Sequence, residues 1–407
     1  MNILAIAYAC EPNRGSEPGV GWNWIRQFGK QEGIKVTVVT RANNKRVIDE
    51  FYKNNPPDEV DYKFYDLPQS ILRYKHGDKG IKLFFTLWQI GVIRYIKRQG
   101  LDDGIDYVWD LNFGSLALPT FCYKLNIPYF IGPVSTKESI PDAYIKCMKS
   151  GDRAKYKIQQ FMRTHLWTSP FAWKALRKAS FVLTCNEMSR KYLPKSVRSI
   201  SVFHNGLDLS EKIEINEHKD TPLRLIYSGR LIQSKNIEAA IVAIKQLKEK
   251  TDEKIYFSIY GNGPEKEKLQ LLVQNYNLDG IIRFCPKVSQ EELFQIYREN
   301  DIYLFPSLLE ISSTSVMEAM YFGLLPICLD INCMEYIINN DSVCKVKNVS
   351  LEHDSQEISN EILKLLSNRE LLFHKRKECT EIAKNHFVWN KKEDEVLKLV
   401  NELKRVK

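Results

Sequence analysis

Two stretches of the chain set charged side chains where an α/β protein can hold anions. "YSGRLIQSKN", residues 227–236, follows an apolar run and supplies Arg230 and Lys235 behind Gly229. A fixed guanidinium and ammonium suit a diphosphate, and a glycine lets backbone approach it closely. "LEISSTSVMEAM", residues 309–320, follows "DIYLFPS" and carries Glu310 and Glu318 with seven residues between them. Its Ser312, Ser313, Thr314 and Ser315 offer N-cap side chains and the first amides of a helix, which together with the helix dipole favour an anion. Ser315 and Glu318 also fit the S-x-x-E pattern, so an ordinary capping box accounts for Glu318 equally well. Glu310 lies before that helix, where a carboxylate faces water or a ligand.

Two glycine-bearing turns complete the set. "IYGNGPEKEKL" places Gly261, Asn262 and Gly263 between a strand and a helix. It is neither a G-x-G-x-x-G fingerprint nor a Walker loop; it reads either as a plain turn or as a place for a flat base or ribose against backbone. "ACEPNRGSEPGVGW", near the start, carries Gly15, Gly19 and Gly21 and can offer backbone N–H groups to the same phosphates.

These turns need strands to hold them. "NILAIAYA", "KVTVVT", "DYVWDL", "IPYFIGP", "SFVLTCN" and "SISVFHN" read as buried strands, with helical spacing between them, as in "GIKLFFTLWQIGVIRYIKRQ". After "HNGLD" the charged stretch "LSEKIEINEHKDTP" interrupts the alternation, which then resumes with "LRLIYSG", "KIYFSIYG", "IIRFCP", "DIYLFPS" and "LPICLD". The pattern predicts an α/β chain of two Rossmann-like doubly wound domains. The first covers 1–205, with a C-terminal helix at about 391–407 packing back on it; the second covers 206–390, with a linker near 206–221. Two such sheets facing each other leave a cleft at the carboxyl ends of their strands, where ligands bind.

Composition narrows the class. At 407 residues the chain is too long for one core, and no apolar run reaches the roughly 20 residues that span a bilayer. Nine scattered cysteines without C-x-x-C spacing fit a reducing cytoplasm. The net charge of +9 is uneven: residues 151–200 hold eleven Lys and Arg against two Asp and Glu, with Trp, Tyr and Phe interleaved. That block suits the anionic inner face of a membrane or an acidic substrate; a solvated helix face with its aromatics turned inward suits it equally. Nucleic acid is not indicated, since no helix-turn-helix, zinc or RNP-type motif accompanies the charge.

Taken in order, "EPNRGSEPGVGW", "IPYFIGPVSTKESIP", "HNGLD", "SGRLIQSKN", "YGNGPEKEKL", the Glu310/Glu318 pair with "EAMYFGLLPI", and "FVW" at Phe387–Trp389 resemble the retaining glycosyltransferases of family 4, over nearly the whole chain. The resemblance implies a GT-B fold. It implies a nucleotide-diphosphate sugar as donor, held mainly by the second domain, and a glycan or lipid-linked acceptor, held mainly by the first, in surface or capsular polysaccharide synthesis. Arg230 and Lys235 would neutralise the leaving diphosphate with help from the amides at Ser313 to Ser315 and from the Gly15 loop. Glu310 would orient the transferred sugar, Glu318 would bind the ribose, and the base would sit by Gly261 to Gly263. No D-x-D motif is present, so protein cations would carry the diphosphate charge without a metal or other cofactor.

The chain departs from the family's pattern at three places. Gly132-Pro133-Val134 is followed by Ser135, Thr136, Lys137 and Glu138 where many relatives keep glycines; Trp109 and Asp110 stand where relatives carry a histidine; and Ile311 replaces a common glycine. Asp110, Ser135, Thr136 and Glu138 are the candidate contacts to acceptor or sugar. A nucleotide-sugar epimerase of the same fold and a catalytically silent binding scaffold are the competing readings. An epimerase needs groups for elimination and re-addition of the nucleotide, for which no equivalent is evident; the intact Arg230, Lys235 and Glu310 speak against a scaffold.

Overall fold

The computed structural model describes the chain apart from residues 13–15, 57, 75–79, 112–113, 117, 136–138, 149, 166–168, 204, 212, 216–221, 311–312, 332–336, 338–342 and 407. The chain divides into two compact units, one of residues 1–136, 156–205 and 392–407, the other of residues 137–155 and 206–391.

The first unit is built on a parallel sheet of seven strands: β1 (Asn2–Ala7), β2 (Lys35–Arg41), β3 (Val60–Tyr65), β4 (Tyr107–Asp110), β5 (Tyr129–Val134), β6 (Phe181–Thr184) and β7 (Ser199–Ser201), in the order β3-β2-β1-β4-β5-β6-β7. The central strands are buried along their whole length, β4, β5 and β6 at every residue, and are mostly apolar. Ring on ring fills one layer, Trp109 stacking on Phe130 and Phe130 on Phe181. On another, the helix Ile81–Arg98 buries Phe84, Phe85, Trp88, Val92 and Ile96, a helical-period stripe in which each large side chain contributes about 2–3 kcal/mol of burial. Residues 392–407 belong to this unit: the helix Glu393–Val406 buries Val396, Leu399, Val400 and Leu403, and Tyr107 Oη donates to the Leu403 carbonyl at 2.9 Å.

The second unit carries six parallel strands: β8 (Leu223–Ser228), β9 (Ile255–Tyr260), β10 (Ile282–Cys285), β11 (Ile302–Phe305), β12 (Leu325–Asp330) and β13 (Cys344–Lys347), in the order β10-β9-β8-β11-β12-β13. In both sheets the first strand lies beside the fourth, so the winding reverses there and leaves a crevice at the carboxyl ends. Each unit is thus the doubly wound sheet that the alternating pattern implies.

Three details differ from the sequence-based expectation. β3, "VDYKFY", is an edge strand with Asp61 and Lys63 on it, so it lacks the continuous apolar run by which its neighbours are recognised. The same holds for β13, "CKVK", whose lysines are exposed at the other sheet's edge. Residues 137–155 belong with the second unit although the sequence assigns them to the first domain. Their helix Asp142–Cys147 presents Tyr144, whose hydroxyl donates to Asp354 Oδ2 at 2.7 Å.

Candidate active site

A polar cluster of the second unit forms where β8 and β11 part. β8 runs into Gly229, Arg230 and a 3-10 turn, Gln233–Lys235; β11 runs into residues 306–310. The loops are tied together, with Leu308 N donating to the Ser234 carbonyl at 2.9 Å and the Ser307 hydroxyl within donating reach of that carbonyl (3.2 Å) and of Glu310 Oε1 (2.9 Å). Lys235 Nζ forms an ion pair with Glu310 Oε1 across them and lies 4.9 Å from the centre of the Phe305 ring. The Lys235 and Glu310 side chains are largely but not wholly covered, at 17% and 14% exposure. The two residues read separately in sequence as phosphate cation and sugar ligand are therefore one charge-compensated pair beside an aromatic ring, with a small part of each side chain accessible.

Arg230 is exposed, and among the described residues its guanidinium has no ion-pair or hydrogen-bond partner. Its carbonyl accepts from Tyr227 Oη at 3.1 Å, which fixes the backbone from which the side chain leaves. The loops after β8 and β9 prolong the sheet pairing, through Gly229 N to the Tyr260 carbonyl and Leu231 N to the Asn262 carbonyl, each at 2.9 Å. That closeness explains the glycines. A Cβ on Gly261, at φ +154°, would lie 1.9 Å from the Gly229 carbonyl oxygen, and one on Gly263 would lie 2.2 Å from that of Leu231. Asn262 Oδ1 caps the turn by accepting from Gly263 N at 2.9 Å. The glycines accordingly have a packing role whatever lies on the turn.

The helix that follows β11 spans Thr314–Tyr321 with Ser313 as N-cap, and the Ser313 side chain makes no capping bond, its Oγ lying 3.0 Å from Ser315 Oγ. The first intrahelical bond runs from Met317 N to the Ser313 carbonyl, so the amides of Ser315 and Val316 precede the intrahelical ladder at the helix start. The capping box expected of Ser315 and Glu318 does not form. Ser315 already lies inside the helix, and Glu318 accepts instead from Gln290 Nε2 at 2.8 Å. Burial pushes the Glu318 carboxyl up to about 7, the Gln290 hydrogen bond opposing that rise. A capping box is present one helix earlier, where Ser289 and Glu292 satisfy each other at the start of Gln290–Arg298.

Beneath Gly229 lies a cluster that the sequence does not announce. Ser228 Oγ is 2.6 Å from Tyr297 Oη and 3.2 Å from Tyr303 Oη, and Tyr303 Oη donates to the Ser228 carbonyl at 2.9 Å, all three residues being buried. Buried tyrosines demand a hydroxyl partner, which was the available signal, but "YRENDIY" does not say which partner. Gln290 and Ser307 were likewise legible only once the chain was folded.

In the first unit Asp110, a candidate acceptor contact, ends β4 wholly buried, with Gln89 Nε2 at 3.2 Å from its Oδ1. Burial pushes its carboxyl up to about 7 against hydrogen bonds from Thr120 and Gln89. This corrects its assignment as an acceptor contact: it is an interior group. Trp109 beside it donates Nε1–H to the Gly132 carbonyl at 2.6 Å. Ser135 is buried after β5, its N–H donating to the Gly114 carbonyl at 2.7 Å. Gly15, Thr136, Glu138 and Ser312 lie outside the described residues.

Two doubly wound sheets with a polar cluster at the second one's switch point define a GT-B protein. The whole-chain likeness agrees: the structure of the Anabaena protein HepE in complex with UDP superposes with a TM-score of 0.62 at 12% identity, covering 99% of this chain and 100% of that one. Residues 208–386, most of the second unit, match the model of the family described as glycosyl transferases group 1. An uncharacterized glycosyltransferase of Methanocaldococcus jannaschii is 28% identical over 56% of this chain, and a putative colanic acid biosynthesis glycosyltransferase of Escherichia coli K12 is 30% identical over 26% of it. The chain spans 59% of the first relative's length and 27% of the second's.

Proposed function

We propose that the protein transfers a glycosyl group from a nucleoside-diphosphate sugar, with retention of configuration, to a glycan or lipid-linked acceptor in surface polysaccharide synthesis. The observation that carries this reading is the Lys235–Glu310 pair held between the loops after β8 and β11. A diphosphate at that pair would meet Lys235, the exposed Arg230 and the amides of Ser315 and Val316. As the glycosidic bond breaks, negative charge grows on the leaving phosphate oxygen, and positioned donors that need no rearrangement stabilise it most. Glu310, anchored by Ser307, would accept hydroxyls of the sugar being moved, and the same carboxylate would hold Lys235 oriented between turnovers. Glu318 would take ribose hydroxyls, with Gln290 fixing its rotation. Protein cations carry the diphosphate charge in this reading, with no metal or other cofactor.

UDP in the HepE complex and the colanic acid relative support the donor class and the pathway in kind. For a lipid-linked acceptor, support comes from the helix Ser150–Thr164, which exposes Ile158, Phe161 and Met162 one helical turn apart beside Lys155 and Lys157. The test is thermal shift against UDP, GDP and ADP. One of them should raise the melting temperature by several degrees, and the rise should vanish in Lys235→Ala. Indifference of the wild-type protein to all three would overturn the reading.

A further inference from the structure

Immediately after Lys235 the backbone does something unusual for a residue with a side chain. Asn236 adopts the left-handed conformation, φ 53° and ψ 38°, at the junction between the 3-10 turn Gln233–Lys235 and the helix Ile237–Lys248. Glycine takes that conformation without strain; asparagine tolerates it and needs its side chain satisfied when buried. Asn236 is 7% exposed, and its Nδ2 donates to Tyr144 Oη at 3.1 Å. Tyr144 Oη in turn donates to Asp354 Oδ2 at 2.7 Å. Asp354 is completely buried, and its other oxygen accepts from Val349 N at 2.9 Å and Ser350 N at 3.2 Å, where the helix Leu351–Ser367 begins. Burial and the neighbouring Asp354 both raise the Tyr144 pKa, so the phenol stays protonated and the donor direction of the relay is fixed.

We propose that Tyr144 is a positioning residue for the diphosphate site, holding Asn236 in its left-handed turn and thereby setting the direction in which Lys235 leaves the backbone. The proposal rests on the reading of Lys235 as a diphosphate ligand. The relay runs from the rigid start of one helix, through a side chain from the inserted segment 137–155, to the residue next to the cation. From the other side the chain around Lys235 is held by Leu308 N and Ser307 on the Ser234 carbonyl, beside the turn's own bonds from Lys235 N to the Ile232 carbonyl and from Asn236 N to the Gln233 carbonyl. A turn pinned on both sides can present an ammonium at one point; pinned on one side it samples several, and each lost orientation weakens diphosphate binding.

The experiment compares four proteins by calorimetric titration with UDP, GDP and ADP: wild type, Tyr144→Phe, Asn236→Gly and the double variant, with Lys235→Ala as reference. Tyr144→Phe keeps the ring and removes the bond to Asn236, and is expected to weaken nucleotide binding about tenfold. Asn236→Gly, which needs no anchor to hold the turn, is expected to make the same phenylalanine change nearly silent, within about twofold. A phenol that merely supports the fold through Asp354 would instead weaken binding equally in both backgrounds, and that result overturns the proposal. Wild-type affinity in Tyr144→Phe overturns it as well, while Lys235→Ala still binds poorly. Lack of wild-type binding to all three nucleotides, or unchanged binding in Lys235→Ala, overturns the site reading itself and this inference with it.

Discussion

The two sheets reverse their winding in the same way, yet their switch points hold different groups. At the first, where β1 and β4 part, the described residues turn inward: Trp109 packs against Phe28 and Phe130, and Asp110 is hydrogen-bonded in the interior. At the second, where β8 and β11 part, the charges stay at the mouth, with Lys235 and Glu310 paired under partial cover and Arg230 exposed. Topology decides where a doubly wound sheet opens, and residue types decide whether that opening can hold an anion.

The largest expected effect breaks or keeps this contrast directly. Lys235→Ala removes the cation, leaves Glu310 partly buried without its counter-charge, and is expected to lower transfer about thousandfold and nucleotide affinity about hundredfold. Asp110→Asn, at the other switch point, is expected to leave nucleotide affinity within about twofold. Titration calorimetry on both variants decides it; equal losses would erase the distinction between the two mouths.

Next in size is a pH effect that the two buried carboxyls share. Asp110 and Glu318 are both pushed up to about 7 by burial, from 3.8 and 4.5. The folded protein therefore holds two protons that the unfolded chain has released, so the contribution of these two groups to stability is greatest below the unfolded values, falls as pH rises towards 7, and levels off above it. The fall is on the order of 4 kcal/mol for Asp110 and 3 kcal/mol for Glu318 at 1.36 kcal/mol per unit. Urea denaturation between pH 5 and 8 should show this slope, reduced in Asp110→Asn and again in Glu318→Gln. Only Glu318 should also matter for binding. If its ionised form receives the ribose hydroxyls, wild-type nucleotide affinity rises with pH through about 7 and that rise disappears in Glu318→Gln but persists in Asp110→Asn.

Glu310→Gln sharpens the picture of the charged mouth. The amide keeps the size of the carboxylate and an oxygen for Ser307 but removes the charge facing Lys235. Transfer is expected to fall about hundredfold, in the range seen for loss of one oriented electrostatic contact. Nucleoside-diphosphate affinity should hold or rise, because Lys235 no longer has a competing carboxylate. A steady-state assay beside the titration separates the two, and full transfer by Glu310→Gln would remove the sugar-orienting role.

How much of this was legible beforehand follows from how locally each feature is encoded. The buried strands β1, β4, β5, β6, β11 and β12 announce themselves as nearly continuous apolar runs, because they are buried along almost their whole length. β3 and β13 do not, since an edge strand needs only one apolar face and here carries Asp61, Lys63, Lys345 and Lys347. Arg230, Lys235 and Glu310 could be read from position alone, because each follows directly on a recognisable strand. Their partners could not. Ser307, Gln290, Tyr144 and the Ser228–Tyr297–Tyr303 cluster depend on which loops the strand order brings together, and the fate of Asp110 depends on packing around a strand end. Glu318 is intermediate: the sequence offered it a capping box with Ser315 or a place at a ligand, and the fold pairs it with Gln290 and not with its own helix start.

The smallest expected effect compares two helix starts in the second unit. Ser289 is tied into a capping box with Glu292, so its side chain already satisfies an orphan amide. Ser313 caps the next helix without such a bond. If the second start is kept for a ligand, the two serines should respond oppositely to truncation. Ser289→Ala is expected to lose about 1 kcal/mol of stability with nucleotide affinity unchanged. Ser313→Ala should lose only a few tenths of a kcal/mol, since no capping bond is broken, while weakening nucleotide binding about threefold through a less ordered first turn. Denaturation and titration on the two variants give four numbers; a Ser313→Ala protein that is destabilised like Ser289→Ala yet binds normally would make both starts structural and take the helix amides out of the phosphate site.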